Sequence, residues 1–319
     1  GIATGDSIQR ADTVAVGTTD VTITRLSDWL FFVDSESTVT RGGPLLNGAS
    51  RRVGTLAKVR TLDIRPPAAL TTVNSLQIGG SSMVLGGDSI PPNWGGGYCD
   101  PNDLSDKPGI LIDDVNNIQT SGNKYHVSGD PPAQSDPTLD SNTLLQFGDL
   151  GWSDLVALAN IRIPNGATIT QTEPDSTLTS DGYICDTRNL RNWGDPLNPA
   201  AVCGNHFPII YAQGDVGIQS GDAGQGILLV EGDLKLTGGY TFYGPVIVKG
   251  TLSTTGTGGH VIGGLIAANV DLDTSTVLGN ALVQFSSCGT TRALLNNSRL
   301  TFAVPLEERS WVDLTNVGN

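Results

Sequence analysis

The sequence predicts a mainly β protein: a β-solenoid (parallel β-helix-like) with an N-terminal antiparallel β unit and a loop-rich, helix-bearing insertion. Three observations lead there. Between Ile209 and Phe285 the chain repeats every 17 to 19 residues, as IIYAQGDVGIQSGDAGQG, ILLVEGDLKLTGGYTFYG, PVIVKGTLSTTGTGGHVIG, GLIAANVDLDTSTVLGN and ALVQFSSC. A unit that short cannot bury its own apolar face and has to stack on its neighbours. The 41 glycines exceed ordinary usage and recur where strands end, as corners with positive φ require. Residues 12–65 alternate apolar and polar side chains, the period of half-buried strands.

Residues 1–66 are read as the N-terminal antiparallel unit. ADTVAVGTTDVTITRL, SDWLFFVDSES and ASRRVGTLAKVRTLDI give three or four strands, with polar turns such as Arg41-Gly42-Gly43-Pro44. Val53, Leu56, Val59, Leu62 and Ile64 keep no single period, which leaves a helical start open in the last of these. Pro66-Pro67 closes the unit. Residues 67–129 hold the first solenoid coils, ALTTVNSLQIGGSSMVLGG and GILIDDVNNIQTSGNKYHVSG, around an irregular Pro/Gly/Asp-rich stretch. Residues 130–207 form the insertion, with a short helix at 151–159. Ser153 or Asp149 would cap it, and Leu155, Val156, Leu158 and Ala159 would supply its apolar face. Residues 208–288 are the main coils, with Leu229 and Ile247 read as inward. Residues 289–319 form a C-terminal cap or tail, starting as helix or strand. The tail and the N-terminal unit are the candidates to cover open strand edges.

The chain has 319 residues and a net charge of −14. Residues 1–65 hold 8 Lys/Arg against 7 Asp/Glu, and the remainder 10 against 25. An acidic body repels phosphate backbones and anionic bilayers, so nucleic acid is excluded as a partner. No apolar run approaches the roughly 18 residues of a membrane span, so no membrane contact is expected of this chain. It begins at Gly1 rather than Met, which is read as the loss of an upstream segment. The cysteines Cys99, Cys185, Cys203 and Cys288 make no CxxC pair, and no His stands at zinc spacing from them. Few lysines and much Thr, Ser, Asn and Gly point to an exported, extracellular protein with disulfides. Cys185 and Cys203 would close a short loop, a link worth roughly 3 kcal/mol. Two unrelated buried thiols are the alternative.

No catalytic constellation emerges. Among the coil aspartates Asp113, Asp114, Asp215, Asp222, Asp233, Asp271 and Asp273, Asp215 and Asp233 hold equivalent places after Gly in successive repeats. They would stack about 5 Å apart. Gly-Asp is a good corner pair, and this is the favoured reading. Ca²⁺ ligation by Asp215, Asp233, Asp271 and Asp273 is the second, and a sugar-cleaving carboxylate pair the third. No cofactor other than Ca²⁺ is considered. His126, His206 and His260 lie in unrelated contexts, and no GxSxG elbow, P-loop or GxGxxG between strand and helix occurs. Trp94 and Trp193, in PPNWGGG and RNWGDP, either pin loops to the surface or offer sugar-stacking platforms.

Three stretches together resemble bacterial PilX-like, type IV pilus-associated proteins. They are TITRLSDWLFFVDSES with ASRRVGTLAKVR, NWGDPLNPAAVCGNHFPIIYAQGDV with GQGILLVEGDLKLTGGYTFYGPVIVKGTL, and the closing EERSWVDLT. The resemblance spans roughly residues 12–315 and is most specific over 192–285. It implies an exported, non-enzymatic surface or pilus-related protein whose precursor carries a prepilin-type hydrophobic helix; that helix is not part of this sequence. The expected function is that of a pilin-like or filament-forming subunit, with copies of itself or other pilus-like subunits as partners. The alternatives are a polysaccharide-binding or polysaccharide-cleaving protein, for which a surface polysaccharide is the partner, and a Ca²⁺-dependent adhesin.

Overall fold

Alternation along the N-terminal residues produces an antiparallel sheet. In the computed structural model, which describes residues 3–27, 29–41, 43, 46–95, 97–270, 273–306 and 311–315, four strands follow one another as neighbours. These are β1 (Ser7–Val14), β2 (Gly17–Arg25), β3 (Leu30–Val39) and β4 (Ser50–Thr61), and the tail strands Thr301–Pro305 and Trp311–Asp313 pair beyond β4. The register sets Val21, Ile23, Phe31, Val33 and Ala57 on one face and Thr22, Thr24, Phe32, Asp34, Arg52 and Leu56 on the other. On this second face the Arg52 guanidinium grips the Asp34 carboxylate through Nη2 at 2.6 Å and Nε at 3.0 Å. The helical start left open for 51–64 does not form. Pairing with β3 on one side and with the tail on the other makes β4 a central strand.

The chain divides into two compact units, Gly1–Thr61 with Thr301–Asn319, and Leu62–Leu300. The second is built from parallel strands, and neither of its large sheets closes into a barrel among the described residues. Its repeats form successive rungs, each visiting three rows. In the first row Ile161, Ile210, Leu228, Val246, Leu265, Leu70, Ile110 and Ala133 stand in one column. In the second, Ile169, Ile218, Leu236, Thr254, Val277, Ile78 and Thr120 do the same. The third aligns Gly224, Phe242, Val261, Val283, Val84 and Val127. Their apolar members enclose a single hydrophobic core. The long strands Thr241–Val248 and His260–Ala267 turn from the third row into the first at Gly244 and Gly263. There φ is +129° and +154°, and a Cβ on Gly263 would strike the Gly244 carbonyl.

Chain order and spatial order differ. The earlier coils at 70–86 and 110–128 do not stand apart from the main run but continue it, because Leu265 pairs with Leu70. The insertion likewise supplies a rung at the opposite end, where Ile161–Ile163 and Ala167–Ile169 pair with Ile209–Ala212 and Val216–Gln219. Any segment with matching apolar columns can add to a parallel edge, so sequence adjacency does not dictate the order.

Leu229 and Ile247 are not inward. Leu228, Val230, Val246 and Val248 fill the core, whereas Leu229 and Ile247 point to the other side of the first row and are equally buried. That side is crossed by residues 141–158. Ser141 Oγ donates to Ala268 O at 2.6 Å, and Trp152 meets Tyr211 edge-on at 6.4 Å. A strand buried on both faces shows no alternation, so its direction could not be told from the run of apolar residues. This crossing segment contains helix α1 (Trp152–Leu158), with Leu155 buried. Gly151, and not Ser153 or Asp149, holds its N-cap position, and the Asp154 carboxylate accepts the Gly151 N–H at 2.9 Å. The tail begins with helix α2 (Ser287–Leu295), where Ser286 Oγ accepts the Gly289 N–H at 3.1 Å.

Candidate functional site

The Gly-Asp pairs form a ladder between rungs. Asn165 Oδ1 accepts the Asp215 N–H at 2.8 Å, and Asp215 Oδ1 accepts the Asp233 N–H at 2.9 Å. Asp233 Oδ1 then accepts the Thr251 N–H at 2.7 Å and its hydroxyl at 3.0 Å. The glycine before each receiving residue is required by close approach, since a Cβ on Gly214 would hit the Asn165 side chain, one on Gly232 the Asp215 carboxylate and one on Gly250 that of Asp233. Asn165, in the insertion, starts the ladder and was not among the residues singled out. An Asn or Asp at each corner is the signal that would have found it.

The remaining aspartates do similar work apart from the ladder. Asp113 accepts the Asn74 N–H, Asp222 the Thr172 N–H, and Asp114 caps a short turn through the Asn116 N–H. Asp273 gives its backbone carbonyl to Asn269 Nδ2, and Asp271 lies outside the described residues. Among the described residues no three His, Cys, Asp or Glu side chains gather in a metal-binding group. His126 and His260 share a column three rungs apart, through Met83 and Leu282. His206 is half-buried beside a cleft of about 270 Å³ lined also by Asn160, Asn297 and Arg299. Burial pushes its imidazole below the ordinary value, against a hydrogen bond with the Asn192 backbone.

Trp94 and Trp193 present no platform to solvent, being 0% and 1% exposed. Trp94 stacks on Tyr243 at 5.6 Å and donates Nε1–H to Pro196 O at 2.8 Å. Trp193 packs edge-on against Tyr240 and Phe242 and donates to Leu190 O. Both pin irregular segments onto the rungs. A residue the sequence did not flag completes the first of these clusters. The Arg292 guanidinium on α2 lies 4.4 Å from the Trp94 ring centre, 4.9 Å from Tyr98 and 5.1 Å from Phe207, and Nη2 donates to Asn205 Oδ1 at 2.8 Å. Two disulfides fasten the same loops. Cys185 joins Cys203 with Cα atoms 5.0 Å apart, and Cys99 joins Cys288 at 5.7 Å.

On the outer side of the first row, Glu231 accepts hydrogen bonds from Trp152 Nε1 at 2.7 Å and Tyr211 OH at 3.0 Å, and from the Lys249 ammonium. Burial pushes this carboxyl up, but the three donors and the Lys249 charge outweigh it and hold it below the usual glutamate range.

Among the described residues the rungs end in strands paired on one side only. At one end these are Ile118–Ser121, His126–Ser128 and Ala133–Ser135; at the other they are Ile161–Ile163 and Ala167–Ile169. Over the neighbouring third-row strand Ala223–Gln225, the 193–206 segment closes the corner, with Gln225 N–H donating to Trp193 O and Gln225 Nε2 to Gly204 O and His206 O. No helix of the described residues is long and apolar enough to cross a membrane.

No protein-family model matches the chain, and no curated protein does. Among solved structures it is similar to the competence-associated pilin ComZ from Thermus thermophilus, at 12% identity, with a TM-score of 0.24, over 98% of this chain and 86% of that one. A likeness of that size carries no argument about family or function.

Proposed function

We propose that this chain is a β-solenoid subunit of an extracellular, pilus-like assembly, and that it associates with its own kind by stacking rung on rung. The observation that carries the reading is the run of in-register parallel rungs ending, at both extremities, in strands with one side unpaired among the described residues. Such strands present N–H and C=O groups ready for another strand, and a head-to-tail contact of unlike ends propagates instead of closing. The two disulfides suit an oxidising compartment. The resemblance of residues 192–285 to PilX-like proteins supports the pilus association. The role is structural, and no side chain is assigned to catalysis. Negative-stain electron microscopy over rising protein concentration tests it. Rods are expected, shortened by Ala133→Pro and Thr168→Pro in the end strands, whose N–H groups at these positions face away from the neighbouring rung. Dispersed particles at every concentration would overturn it.

A further inference from the structure

The free edge of the N-terminal sheet carries a self-complementary register. β1 is the outermost strand and pairs with β2 alone among the described strands. All eight of its residues are exposed, Ile8 at 46% and Val14 at 52%. Arg25 donates its N–H to Asp6 O, just outside the Ser7–Thr24 pair. Ser7, Gln9, Ala11 and Thr13 therefore sit at non-hydrogen-bonded positions against β2 and turn their own N–H and C=O groups to the open edge. Thr13 bears this out, since its N–H goes to the neighbouring Asp12 carboxylate at 2.8 Å and not to a strand.

An open edge of this length templates another strand, and the side chains specify which. In a two-fold antiparallel pairing of β1 with itself, only the odd-numbered residues can exchange backbone hydrogen bonds, so odd must face odd. Residues directly opposite share a sheet face. Centred on Ala11, Arg10 stands opposite Asp12 of the partner subunit, Ile8 opposite Val14 of the partner subunit, and Gln9 opposite Thr13 of the partner subunit. The adjoining two-fold registers set Arg10 against Arg10 of the partner subunit, or Asp12 against Asp12 of the partner subunit. Like charges directly opposite are destabilising, so one register is accepted and its neighbours are rejected. Ile8 and Val14 lie on the same face as Val21 and Ile23, so the junction also sets apolar side chains of the two copies side by side.

We infer that β1 is a homodimer edge: two copies join antiparallel through Ser7–Val14, centred on Ala11, into one continuous sheet. Asp12 leaves Thr13 for Arg10 of the partner subunit as the Thr13 N–H finds a strand carbonyl. The inference rests on the first unit and not on rung stacking, which belongs to residues 62–300. An isologous contact closes after two copies, so dimers and rods are separate outcomes.

Sedimentation equilibrium of the full chain tests it. The parent should dimerise, and Arg10→Asp alone or Asp12→Arg alone should weaken the dimer by roughly tenfold or more. An equimolar mixture of those two variants should form a heterodimer, and the double variant Arg10→Asp/Asp12→Arg should recover the homodimer. Ala11→Pro removes the central edge donor without touching the β1–β2 ladder and should give monomers with an unchanged circular dichroism spectrum. A monomeric parent at every concentration, or a double variant that stays monomeric, would overturn the inference. Rods that persist in Ala11→Pro leave the stacking reading standing, whereas loss of rods with the dimer retained removes stacking alone.

Discussion

Asp215 and Asp233 each give one carboxylate oxygen to the backbone of the following rung, a task that needs an acceptor but no charge. Asp233→Asn should therefore stay within about 0.5 kcal/mol of the parent, and Asp233→Ala should lose roughly 1 kcal/mol, the usual worth of such a bond. Urea unfolding measures both. A structural Ca²⁺ at this corner predicts the reverse ranking of interest: a clear loss with Asn, and a melting temperature that falls on chelation. Glu231 differs because its charge matters. Its folded-state pKa is depressed, so its contribution is complete above the ordinary glutamate value and fades as pH falls through the lowered one. Glu231→Gln should be less stable than the parent at neutral pH, and the gap should narrow as the pH falls below the ordinary glutamate value.

At the scale of elements, the columns decide what a substitution does. Leu228→Ala and Val246→Ala open the central core and should cost about 2–4 kcal/mol. Leu229→Ala, on the far side of the same row, should cost a similar amount by loosening the 141–158 crossing segment. Protease cleavage within 136–160 should then accelerate for Leu229→Ala but not for Leu228→Ala at equal stability. The repeat at 209–285 made the rows, the corners and the apolar columns legible from sequence, since one rung fixes what its neighbours must look like. The same signal could not reveal which side of a doubly buried strand faces the core, so Leu229 and Ile247 were misdirected. It also could not reveal the rung at 161–169, whose strands are only three residues long and sit among loop-forming residues. Trp94 and Trp193 look alike in sequence to exposed aromatics because their Pro/Gly/Asn flanks report a loop, not what the loop lies on. Arg292 was invisible for the opposite reason: its aromatic neighbours arrive from segments far apart in the chain.

For the molecule as a whole, one disulfide closes a long loop of the chain and the other a short one. The Cys99–Cys288 bridge spans 189 residues, so in the chain-entropy account its removal costs about 5 kcal/mol, against about 3 kcal/mol for Cys185–Cys203 with a separation of 18. Calorimetry of Cys288→Ser and Cys203→Ser chains should rank them in that order. The acidic body bears on association as well. With a net charge of −14, copies repel at low salt, and screening shortens that repulsion to about 8 Å at physiological ionic strength. Light scattering should therefore show rod growth rising with salt. The β1 edge, whose facing charges attract, should weaken over the same range.

Thr61 pairs with Thr301, so the chain leaves the N-terminal sheet and returns to it at adjoining points, with all the rungs in between. Pulled from its two termini, the molecule would take the load at β1, which peels from β2, and at the tail strands, which part from β4 from the Trp311–Asp313 end toward that junction. The rungs carry no tension until the last of those pairs opens. The small sheet is then a mechanical fuse, and force spectroscopy should record its rupture before any extension of the larger unit.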